Sequence, residues 1–158
     1  MRKMLPHPEF CTSLKYPYQG LLQLHIVKED ELRHPTMLDA NGEKCIIVVK
    51  NGNTTDVTIG RATDIESFVR EYDDNGIHST SIQIAIYPYS QKDGVFSNPG
   101  DSGSVIADAN GGILTILTGG AGQPETDDFD VTYAAPYYWV HERIKEAFLD
   151  APLYPIVA

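Results

Sequence analysis

Between Cys45 and Pro136 the chain is cut into short apolar runs by turns that carry glycine and asparagine, and this punctuation limits the possible folds more than any other feature. Val105-Ile106-Ala107-Asp108 is one run, Ala109-Asn110-Gly111-Gly112 a turn, and Ile113-Leu114-Thr115-Ile116-Leu117-Thr118 the next run, ending in Gly119-Gly120. Strand, glycine turn, strand is a hairpin signal. Cys45 to Lys50 reads as another strand, Asn51-Gly52 suits a tight hairpin turn, and Thr55, Val57 and Ile59 alternate after it. Ile82, Ile84 and Ile86 share one face of a further strand, with Gln83 and Ala85 on the other. Ile65 to Glu71 sets charges around Phe68 and Val69 and reads as a short helix or a loop. Asp73-Asp74-Asn75-Gly76 reads as a turn, and Gly119 to Phe129 as a polar, glycine-rich loop.

Pro136 opens the one clear helix. Tyr137, Val140, Ile144, Ala147 and Phe148 recur at three and four, which predicts a packing stripe, with Glu142, Arg143, Lys145 and Glu146 on the wet face. The whole pattern predicts an all-β chain: an antiparallel β-barrel followed by a C-terminal α-helix. Residues 45–158 carry that pattern. Residues 1–44 are poorly patterned; Leu21 to Val27 reads as a strand, and Glu29 to His34 as a helical turn cut off by Pro35.

At 158 residues the chain is one domain with room for a real core. Its net charge of −10 argues against nucleic acid or an anionic membrane as partner. No apolar run approaches the roughly 18 residues that span a bilayer. Met1-Arg2-Lys3-Met4-Leu5-Pro6 starts basic but lacks the apolar stretch of a signal peptide. Cys11 and Cys45 are too few for a disulfide framework. Together these features favour an intracellular, reducing compartment. Asn53-Thr54-Thr55 is a glycosylation sequon that matters only in a secreted chain. Neither a cofactor nor a metal is expected.

The chemistry is concentrated in Asn98-Pro99-Gly100-Asp101-Ser102-Gly103-Ser104. A serine hydroxyl is a poor nucleophile at neutral pH; it needs a base for its proton and donors for the oxyanion that forms. Gly-Asp-Ser-Gly alone is also an ordinary polar turn. The α/β-hydrolase elbow, G-x-S-x-G between strand and helix, fails here, because Ser104 stands at its last position and a strand follows. With the hairpin behind it, the segment resembles the nucleophile loop of the chymotrypsin-like serine proteases. Val48-Val49-Lys50-Asn51-Gly52-Asn53-Thr54-Thr55-Asp56-Val57-Thr58-Ile59-Gly60 resembles the hairpin that opens the second barrel of streptogrisin-type enzymes, although those usually have glycine where Asp56 stands. Asp130-Val131-Thr132-Tyr133-Ala134-Ala135-Pro136 resembles that barrel's last strand. The likeness covers roughly residues 45–148 and extends to uncharacterised fungal trypsin-like proteins.

The resemblance implies roles. Ser102 is the nucleophile, and the N–H groups of Gly100 and Ser102 form the oxyanion hole. Asp101 braces the loop against a nearby cation, and Gly103 leaves room beside the nucleophile. Thr118 and Gly120 border the specificity pocket and bind the substrate backbone, with Phe96 at the pocket floor. Thr115 departs from the family, which usually has glycine there. An aromatic floor predicts a small or apolar substrate side chain.

A triad also needs a His and an acid, and in this family both come from the first barrel. None of the five histidines has the expected setting. His7 and His34 sit beside prolines, His25 lies in a strand-like run, His78 follows the Asn75-Gly76 turn, and His141 is on the helix. Nor do residues 1–44 suffice for a six-stranded barrel, which takes something like 80 residues. The expectation is therefore the C-terminal half of a serine endopeptidase acting on peptide or protein, inactive alone. Further N-terminal sequence or self-association would cover its apolar flank. The alternative is a non-catalytic barrel module that binds peptides or a protein partner.

Overall fold

The computed structural model describes residues 25–72, 74, 76, 78–90, 94–121, 130–151 and 153. His7, Cys11 and residues 21–24 of the expected first strand lie outside them, as do residues 122–129 of the glycine-rich loop. The elements in chain order are β1 (His25–Ile26), α1 (Glu29–Arg33), β2 (Met37–Leu38), β3 (Lys44–Gly52), β4 (Asp56–Tyr72), β5 (His78–Pro88), β6 (Val105–Asp108), β7 (Gly112–Ala121), β8 (Val131–Pro136) and α2 (Tyr137–Ala147).

Strands β7, β6, β3, β4, β5 and β8 neighbour one another in that order, and β7 pairs with β8 to close the ring. Every pairing in this ring is antiparallel. Closure removes the open sheet edges wherever the ring is complete. The antiparallel barrel and terminal helix expected from the sequence are both present. β1 adds to β7 in parallel, and β2 adds to β3. α1 plugs one side, and Val27 and Leu32 join the barrel core.

Alternation along each strand decides what fills that core. Ile46 and Val48 point inward from β3, Ile84 and Ile86 from β5, Ile106 from β6, Leu114 from β7 and Ala134 from β8. Ile82 shares the face of Ile84 and Ile86 but is 50% exposed, because it lies past the barrel rim. Gln83 and Ala85, on the opposite face, are buried as well.

Two element expectations need correction. Residues 65–71 form neither helix nor loop; they continue β4, paired with β5 from Glu66↔Ile84 to Tyr72↔His78 across an irregularity between Ala62 and Glu66. Cross-strand partners won over the charged local pattern. The stripe on α2 is not a buried packing surface either, since no residue of the helix is buried. Its contacts are with β7 and β8, while Ile144 and Phe148 stay exposed.

Candidate active site

The segment between β5 and β6 carries the candidate nucleophile. Its shape is set by Asp101, whose side chain is wholly buried. Asp101 N–H donates to the Asn98 carbonyl (3.0 Å), and Ser104 N–H donates to the Asp101 carbonyl (3.0 Å). Gly103 N–H donates to the Leu117 carbonyl (2.8 Å) and Leu117 N–H to the Ser104 carbonyl (3.0 Å), which ties the loop to β7. Thr54 Oγ1 donates to the Pro99 carbonyl (2.9 Å) from the β3–β4 turn.

The Asp101 carboxylate gathers donors from three segments. Oδ1 accepts from Thr54 N–H (2.7 Å) and Thr55 N–H (3.3 Å). Oδ2 accepts from Thr55 Oγ1 (2.6 Å), Asn98 N–H (3.1 Å) and Lys50 Nζ (3.1 Å). Lys50 also donates to Thr55 Oγ1 (2.6 Å) and lies 5.4 Å from the centre of the Phe96 ring. Both ionic side chains are fully out of solvent. Burial pushes the Asp101 carboxyl up, but the hydrogen bonds from Thr55, Thr54 and Asn98 and the Lys50 ammonium outweigh it and hold the group well below the usual carboxylate range. Gly52 makes the space: a Cβ there would run into the Asp101 carboxylate and Lys50 Nζ.

Around this anchor the backbone leaves two donors unused. The N–H groups of Asp101, Gly103 and Ser104 are all engaged. Those of Gly100 and Ser102 meet no acceptor among the described residues, and both residues are exposed. Gly100 has φ +104°, a left-handed conformation that side chains disfavour, and a Cβ there would also strike Thr54 Oγ1. Gly103 is in the left-handed region (φ +86°), and beyond its chain neighbours nothing lies within 4 Å of a Cβ placed there.

The Ser102 side chain is exposed, and among the described residues no imidazole hydrogen-bonds it. His25 lies over Gly112 at the start of β7, five residues before Leu117, or roughly 17 Å along a strand. His34 Nδ1 is 3.0 Å from the Asp30 carbonyl. His141 faces Tyr137 on α2, with ring centres 6.2 Å apart. His78 pairs with Tyr72 at the far end of β5.

The residues assigned to the pocket fall on neighbouring segments. Gly120 pairs with Thr132 across β7 and β8. The Thr118 hydroxyl lies against Gln83 Oε1 and the Tyr133 carbonyl (3.0 Å), so its one proton is already committed within the barrel. Phe96 is 1% exposed and belongs to the core; its N–H donates to Asp130 Oδ2 (2.9 Å), and its carbonyl accepts from Thr58 Oγ1 (2.8 Å). Its ring is walled in rather than presented to a ligand. Ser97 Oγ meets Thr132 Oγ1 at 2.6 Å, closing this segment onto β8.

Sequence reasoning missed Lys50, Thr54, Thr55 and Gly52. A signal was present: Lys50 continues the inward series Ile46, Val48, and a lysine on a core-facing position requires a buried counter-charge. The two departures from the family also find places. Asp56 is the one non-glycine residue with positive φ (53°) among the described residues, so the position where the family has glycine is left-handed, a region Asp tolerates better than most side chains. Thr115 is buried with its hydroxyl unpaired among the described residues.

The arrangement is a barrel that holds an exposed serine and two backbone donors without an acceptor among the described residues, on a loop pinned by a buried ion pair. It is a closed antiparallel barrel with a C-terminal helix, matching a chymotrypsin-like fold. The Rv3671c protease from M. tuberculosis, in its active form, matches with a TM-score of 0.52 and 18% identity, over 87% of this chain. The match covers 53% of the mycobacterial chain, so this chain spans about half the length of the solved protein. The likeness is one of fold and does not extend to the narrower streptogrisin-type or fungal resemblance. No family model matches the chain, and no curated protein does.

Proposed function

We propose that this barrel is the nucleophile-bearing half of a chymotrypsin-like serine endopeptidase, with Ser102 as the attacking group. The observation that carries this reading is the pair of unengaged N–H groups, Gly100 and Ser102, on either side of a buried, five-fold hydrogen-bonded Asp101. An oxyanion hole works only if its donors are fixed before charge develops, and a buried anchor between them supplies that fixity. In the reaction Ser102 Oγ bonds to the scissile carbonyl carbon while its proton passes to a base; the C–N bond then breaks as the amine takes that proton, and water releases the acyl group. The His and its orienting acid come from a first barrel outside the described residues. Without them the described barrel holds a serine of alcohol-like reactivity.

A second reading is favoured by the placement of His25, His34 and His141 on other partners: a protease-like barrel that binds a peptide or protein without cleaving it. Fluorophosphonate labelling of the longest native protein separates the two. Labelling at Ser102 that disappears in Ser102→Ala supports the peptidase. Silence of that protein, under conditions where a control serine protease is labelled, supports the module.

A further inference from the structure

Past the barrel rim, β4 and β5 run on as a two-stranded ribbon. β3 stops pairing with β4 at Ala62, and β8 stops pairing with β5 at Ile84. From Glu66 to Tyr72 the ladder partner of β4 among the described residues is β5 alone. Among the described residues the other edge from Glu66 to Glu71 therefore presents a row of backbone donors and acceptors, a template for another strand. Proteins usually blunt such an edge with proline or charged side chains, lysine above all; Glu66 to Tyr72 holds neither proline nor lysine, and its charges, Glu66, Arg70 and Glu71, are of mixed sign. The ribbon is apolar where it is most exposed: Phe68 is 73% exposed and Ile82 50%. These two stand directly across from each other. By strand alternation Glu66 and Arg70 share their face.

We propose that the Glu66–Arg70 edge of β4 pairs antiparallel with the same edge of a second copy of this chain, on a two-fold axis through Phe68. Charge complementarity selects the occupant and the register. With Phe68 on the axis, Glu66 of each copy stands opposite Arg70 of the other, and Ser67 opposite Val69. Shifting the axis to Ser67 sets Phe68 against Glu66. Shifting it to Val69 sets Phe68 against Arg70 and Glu66 against Tyr72. Only the Phe68 axis puts ring against ring and pairs opposite charges on both flanks, which is the arrangement cross-strand neighbours favour. Within each copy Arg33 Nη2 already meets Glu66 Oε1 at 2.8 Å, so in the pair the carboxylate is shared between Arg33 and Arg70 of the other copy. One face of the resulting four-stranded sheet carries the row Ile82, Phe68, Phe68, Ile82. The assembly is of the isologous kind, closed at two copies, and it does not depend on Ser102.

Sedimentation velocity on the full chain tests it. The expected result is a species of twice the 17.5 kDa chain mass at tens of micromolar. Phe68→Asp and Phe68→Lys, each with an unchanged circular dichroism spectrum because the side chain is exposed, should sediment as monomers. Mixed together they should dimerise at least about tenfold more tightly than either alone, because Asp then faces Lys on the axis. A wild-type monomer at about 100 µM, where even weak pairing is populated, overturns the proposal. So does a dimer that survives both substitutions, or a mixture that stays monomeric.

Discussion

Lys50 is a charged side chain in a position that strand alternation reserves for the core, and it is there because Asp101 is. Ser102, Gly100 and Asp101 were legible in the sequence because they are adjacent letters of one motif. The cation that meets Asp101 was not, since it stands 51 residues away and only the pairing of β3 with β6 brings it to the loop. Removing one partner of such a pair leaves a buried, uncompensated charge. Lys50→Met should therefore cost about 3–5 kcal/mol in urea unfolding, and the loop should lose order first. The depressed Asp101 carboxyl adds a pH signature. Its stabilisation is complete above the ordinary aspartate range near 3.9 and disappears as pH falls below it towards the lower folded value. The urea midpoint of the wild type should begin to drop near roughly pH 5 and keep falling well below pH 3, and that slope should be shallower in Lys50→Met.

β4 and α2 show where local pattern and element diverge. Glu66 to Glu71 lacks the clean two-residue alternation of a half-buried strand because both of its faces meet solvent beyond the rim. No core selected its residues, so its charges imitate a helix surface. α2 is the converse case. Its apolar residues recur at three and four, which correctly identified the helix, but periodicity cannot say whether a face is covered. Among the described residues the helix buries no side chain. Ile144→Ser and Phe148→Ser should accordingly shift stability by no more than about 0.5 kcal/mol in thermal or urea melts. A loss of several kcal/mol would mean the face is packed in solution.

At the scale of the molecule, the ring closes only through pairings between distant parts of the chain. Val48 registers with Asp108 across β3 and β6, and Lys50 reaches Asp101 across the same seam. Sequence punctuation was enough to read the barrel, because each turn and apolar run is local. The order of strands around the ring is not local, and no run or turn in the sequence assigns it. Topology of this kind folds slowly, since loop closure must be met before distant contacts reward it. Refolding from urea should fall in the millisecond-to-second range. The buried ion pair also places the nucleophile loop in time. Its anchor exists only once β3 and the segment before β6 have met, so Ser102 is presented last. A probe of that loop, such as a fluorophore at exposed Val105, should report the final kinetic phase, after the β3–β4 hairpin has formed. A partly folded chain would therefore never display the Gly100 and Ser102 N–H groups in their final arrangement.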